Sequence, residues 1–127
     1  MKYLRRLNES VHDNLSEIKS IISDLEEEYN ITADFSEVNY YITSKRSTEA
    51  LSITLENEID HISIDNLIKP ILIRLKSFAD SIDCGVHIDP DCKSIEFFDV
   101  EEFINEYDGE EMSMIDIIIY NRKYGIY

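Results

Sequence analysis

The chain has 127 residues and a mass of 14.9 kDa, with 27 Asp and Glu against 12 Lys and Arg, a formal net charge of -15. That length fits one domain, 1–127, because two independent cores would each be marginal in size. A hydrophobic fraction of 43% with only 3 Gly and 2 Pro supplies a core and lacks the bias of a disordered chain, while the shortage of cations argues against direct nucleic-acid binding and against anionic membrane surfaces.

The opening segment MKYLRRLNES contains no apolar run of signal-peptide length, and no later stretch approaches a membrane span. A cytoplasmic location is therefore expected, where Cys84 and Cys92 stay reduced. The first periodic segment places Val11, Leu15, Ile18, Ile22, Leu25 and Tyr29 on one stripe of a helix over about 9–29, with Ser10 and Asp13 as a box-like cap. Packing on a sheet explains the stripe, and a coiled-coil seam is the competing explanation.

From Ile31 the period becomes two. Ile31, Ala33 and Phe35 form one run, Val38, Tyr40 and Ile42 a second, and Leu51, Ile53 and Leu55 a third after the polar string Ser44–Thr48. These runs suggest a three-stranded meander. A second helix follows from Ile64, Leu67, Ile68, Ile71, Leu72, Leu75, Phe78 and Ile82 behind a cap at Ser63. Pro70 conflicts with a helix interior, so that helix either kinks or starts later than Ser63.

Beyond Gly85, residues 86–97 read as a hairpin with Pro90 at the second position of a type I turn, a register that opposes Asp89 to Cys92, Val86 to Ile95 and Cys84 to Phe97. This register separates the cysteines and argues against a disulfide. Asp99 and Glu102 cap a short helix carrying Val100, Phe103, Ile104 and Tyr107 up to Gly109, and Met112–Tyr120, apolar on both faces except at Asp116, reads as an internal strand. The expected class is α+β, in the order αβββαββαβ, with a mainly antiparallel sheet of about five to six strands against two long helices.

Motifs of catalysis are missing. There is no glycine-rich phosphate loop, no G-x-S-x-G, no H-E-x-x-H and no C-x-x-C, and His12, His61 and His87 read as surface or partly buried residues that local spacing does not bring together. Carboxylates around D-P-D-C-K-S-I-E fail the calcium-loop pattern, since its turn glycine is absent and Lys93 and Ile95 take inner positions. No catalytic residue, metal ligand or cofactor is assigned.

Charge placement is the unusual property. Residues 77–121 contain 13 acids and one base, Lys93, whereas residues 1–76 contain 14 acids and 9 bases. With screening over about 8 Å, such a cluster still steers a basic partner. The candidate contacts are Asp89, Asp91, Glu96, Glu101, Glu102, Glu106, Asp108, Glu110 and Glu111.

The opening Met1-Lys2-Tyr3-Leu4-Arg5-Arg6-Leu7-Asn8-Glu9-Ser10, with the Ile-, Asn-, Tyr- and acid-rich composition, resembles small acidic accessory proteins of tailed bacteriophages. That resemblance implies a class in which acidic, DNA-like surfaces inhibit host defence or nucleic-acid enzymes. It transfers no site residue. The leading expectation is a non-enzymatic inhibitor or accessory protein in the cytoplasm of a bacterial host, binding a basic, nucleic-acid-handling partner protein. An immunity protein against a basic nuclease uses the same chemistry. Two competing functions are a self-associating structural protein, a homodimer through helix 9–29 or a sheet edge, and a Mg²⁺-dependent carboxylate enzyme.

Overall fold

The computed structural model describes residues 14–29, 31–43, 46–57, 62–63, 68–90, 97, 99–106, 111–112 and 114–122. In chain order the elements are α1 (Leu15–Tyr29), β1 (Thr32–Thr43), β2 (Arg46–Glu56), β3 (Ile62–Ser63), α2 (Lys69–Ser81), β4 (Cys84–Pro90), α3 (Val100–Glu106), β5 (Glu111–Met112) and β6 (Met114–Asn121). The α+β class is as expected. Among the described residues, however, the main sheet has four strands rather than five to six, in the order β1-β2-β6-β4 with every pair antiparallel, and β3 pairs β5 separately. The element order is accordingly αβββαβαββ, not αβββαββαβ.

All three helices contribute to one core on one face of this sheet. Cross-strand rows such as Phe35–Ile53–Ile117–Ile88 and Ala33–Leu55–Ile115–Pro90 run beneath them. Ile18, Ile22 and Leu25 of α1 are buried in the same core as Leu72, Leu75 and Ala79 of α2. Ile18, Ile22 and Leu25 of the helical stripe are thus spent within the molecule, in the packing that a helix on a sheet requires. Val11 and the cap at Ser10 lie outside the described residues.

The meander is replaced by one hairpin. β1 runs unbroken through Ser36 and Glu37, where the alternation changes phase. The change of phase marks a change of buried face. Ala33 and Phe35 face the helices, whereas Val38 and Tyr40, on even positions, lie on the opposite face of the sheet. A register shift between Tyr41 and Thr43 adds a bulge before β2.

Pro70 settles the start of the second helix. It lies in the first turn of α2, where its absent N–H breaks no helical bond and its fixed φ suits the helix. Ile64 and Leu67 fall outside the described residues. At the other end Asp83 takes φ 59, a left-handed conformation that Asp tolerates better than most residues.

The β4 hairpin exists in a different register. Ile88 and Phe97 exchange two backbone bonds of 2.8 and 2.9 Å, so Phe97 opposes Ile88 and not Cys84. Pro90 extends the strand instead of opening the turn. Amide groups of alternate residues point to opposite sides of a strand, so Pro90, like Ile88, directs its nitrogen away from β6 and removes nothing from that ladder. Both registers turn Cys84, Val86 and Ile88 inward, so apolar matching alone does not separate them.

Cys84 is a free, buried thiol beside Asn121, its S–H directed at Asn121 Oδ1 at 3.3 Å. Burial first, then the charge of Asp83, pushes this thiol up to about 12, against the opposing influence of Arg122. In the unfolded chain a thiol ionises near pH 8.5, so above that pH the unfolded state sheds a proton the folded state retains. Stability is then expected to fall by about 1.4 kcal/mol per pH unit from this group. Urea unfolding of the wild type and Cys84→Ala between pH 8 and 10 checks this, the slope being shallower in the variant.

Candidate functional site

The expected acidic contacts separate into groups. Glu101, Glu102 and Glu106 stand exposed on α3, a helix without a basic residue. The helix forms there because Asp99 caps it, its carboxylate accepting the Glu101 N–H at 3.0 Å, and because Val100, Phe103 and Ile104 are buried beneath it. Among the described residues, Glu102 and Glu106 have no ion pair; Glu101 lies 3.7 Å from Lys76 with its side chain 76% exposed. Glu111 belongs to β5 opposite Ser63. Asp91, Glu96, Asp108 and Glu110 lie outside the described residues.

Asp89 is placed elsewhere. It lies on the face of the sheet turned away from the helices, half-buried, with Oδ1 3.2 Å from His87 Nε2. On the other side of that imidazole, Nδ1 lies 3.1 Å from the Tyr40 hydroxyl. A neutral imidazole protonated on Nε2 donates to Asp89 and accepts from Tyr40. His87 is buried, and Tyr40 stacks on Tyr120 at 4.1 Å and 9°. Strands lie about 4.8 Å apart, so Tyr40 on β1 crosses β2 and β6 to reach His87 on β4.

Hydroxyl, imidazole and carboxylate in this order are the parts of an activated nucleophile. Here they tie the two outer strands of the sheet together over a layer that includes Ala50 and Gly85, both buried. Tyr40→Phe removes His87's phenolic partner and is expected to cost about 1–2 kcal/mol, read by urea denaturation at neutral pH. Local spacing does not find this network, because 47 residues separate Tyr40 from His87. His87 and Asp89, two apart on a strand, do share a face by parity. His12 and His61 lie outside the described residues.

Between α2 and α3 runs a groove of about 540 Å³, lined among others by Lys69, Ile73, Lys76, Glu101 and Ile104. A neighbouring cavity of about 300 Å³ shares Lys76, Asp80 and Val100 with it and reaches Arg122, which pairs Asp80 at 3.1 Å. Among the described residues, no three His, Cys, Asp or Glu side chains form a group able to hold a metal ion, and no helix is long and apolar enough to cross a membrane. No family model, no curated protein and no solved structure matches this chain.

Proposed function

We propose that this chain is a non-enzymatic accessory or inhibitor protein of the tailed-phage type, acting in the bacterial cytoplasm on a basic, nucleic-acid-handling partner protein. The observation that supports this reading is the exposure of Glu101, Glu102 and Glu106, beside the capping Asp99, on one rigidly packed helix with no cation of its own. Carboxylates held on such a helix compete for the cations with which such a partner holds nucleic acid. This reading leaves out Asp89, which His87 engages at 3.2 Å on the other face of the sheet.

An arginine-rich labelled peptide mimics the cationic groove of the partner. Glu102→Lys with Glu106→Lys is expected to slow its association about tenfold at low salt and to flatten the salt dependence, with folding stability unchanged. Stopped-flow fluorescence measures both. Rates and slopes equal to wild type would reject the reading.

Self-association through the sheet edge is opposed by β1 itself. This edge strand carries exposed Asp34 and Glu37 and ends in a bulge, all features that discourage strand addition.

A further inference from the structure

The described helices share one face of the sheet, so the second face, that of His87 and Asp89, has no helix over it among the described residues. It is not the plainly polar surface that an antiparallel sheet turns to water. Val38, Ile118 and Tyr120 lie on it half-buried, while Asp34, Asp116 and Asp89 fall in one cross-strand row with Thr54. The strand rows between Asp34 and Val38 contain no lysine or arginine. Thr48, 5% exposed and opposite Tyr40, points the same way, and among the described residues its hydroxyl has no hydrogen-bond partner. A buried hydroxyl calls for a polar group laid against it.

Residues 1–13 have the matching chemistry. Lys2, Arg5 and Arg6 precede the first acid, Glu9, and Tyr3, Leu4 and Leu7 stand among them. The comparable run of Lys69, Arg74 and Lys76 belongs to α2, on the other face. Lys19, in the second turn of α1, holds its Nζ 5.3 Å from the ring centroid of Phe35 on the edge strand β1, so the start of α1 stands beside that edge. Thirteen extended residues reach about 40 Å. The path from a helix layer around the sheet to its other side is roughly 20 Å, two layer spacings.

We propose that residues 1–13 cover the second face of their own sheet, with Tyr3, Leu4 and Leu7 against Val38 and Ile118 and with Arg5 and Arg6 toward the row of Asp34 and Asp116. Such a cover removes apolar surface from water, sets bases against a face that has none, and brings backbone groups to the Thr48 hydroxyl. It also closes this face to other molecules. The inference is independent of the acidic reading of α3, whose carboxylates stand on the helical side.

The test uses the full chain with Tyr3→p-benzoylphenylalanine, which retains an aromatic ring and reacts with neighbouring C–H groups under near-ultraviolet light. Irradiation is expected to give cross-links within the monomer, mapped by mass spectrometry to second-face residues such as Val38 and Ile118. Adding Arg5→Glu with Arg6→Glu is expected to lower their yield about fivefold, the loss that two exposed ion pairs provide. Circular dichroism verifies that the fold is unchanged, and about 1 M salt is expected to lower the yield of the parent chain in the same direction. Cross-links confined to the helices, no cross-link at all, or a yield indifferent to the charge reversal overturns the proposal. Cross-links to this face found only between two chains assign the cover to a second copy and overturn it as well.

Discussion

Replacing Phe103 with alanine is expected to destabilise the fold by about 3–5 kcal/mol. Phe103 is fully buried and meets Phe97 edge-to-face, with ring centroids 5.4 Å apart. A helix of 7 residues does not hold itself in water, so packing fixes α3 in place. Phe103 contributes the largest side chain to that packing, beside Val100 and Ile104. Its loss also frees the carboxylates of Glu101, Glu102 and Glu106 from their common position. Urea denaturation measures the stability, and a loss below about 1 kcal/mol would show that α3 is held by something other than this ring. In that case the rigid acidic surface has another origin.

Gly85→Ala is the second large effect, at about 1–3 kcal/mol. A Cβ at this position would stand 2.4 Å from Tyr120 Cζ and 2.5 Å from its hydroxyl oxygen. The tyrosine end of a free side chain would swing aside. Tyr120 is not free, because its ring stacks on Tyr40, whose hydroxyl meets His87. A glycine that weakens a strand is here covered by an aromatic ring, and the ring requires the missing Cβ. Burial pushes the Tyr120 phenol up, in keeping with this close approach. The effect should disappear in a Tyr120→Ala background, where a double-mutant cycle returns a coupling about equal to the single loss. Loss of near-ultraviolet ellipticity in Gly85→Ala would accompany it.

Elements with a full local pattern were legible in the chain. Leu15, Ile18, Ile22 and Leu25 recur at the helical period, Asp99 stands at a cap, and β6, apolar on both faces, lies inside the sheet between β2 and β4. Where two patterns give the same burial, local reading fails. The β4 hairpin turned Cys84, Val86 and Ile88 inward in either register, and only the Ile88–Phe97 bonds decide between them. In β1 a switch of buried face at Ser36 and Glu37 imitated a turn.

The site was legible in part for a similar reason. Charge counting located the excess of acids but treated residues near in sequence as near in space. Strand parity sends Asp89 to the face of His87, while Glu101, Glu102 and Glu106 stay on the helical side. The groove depends on the spacing of α2 and α3, which no residue pattern specifies. Lys69, Ile73 and Lys76 read only as parts of a helix until α3 is set beside them.

The decisive distinction is between placed charge and total charge. Glu102→Lys with Glu106→Lys on α3, and Glu26→Lys with Glu27→Lys on the exposed side of α1, change the net charge equally. Association of the arginine-rich peptide should be measured for both variants across a salt series. The α3 variant is expected to be slowed about tenfold at low salt with a flattened slope, and the α1 variant to remain close to wild type. Equal slowing by the two variants would contradict the account, because any carboxylate on the surface would then serve as well as those of α3.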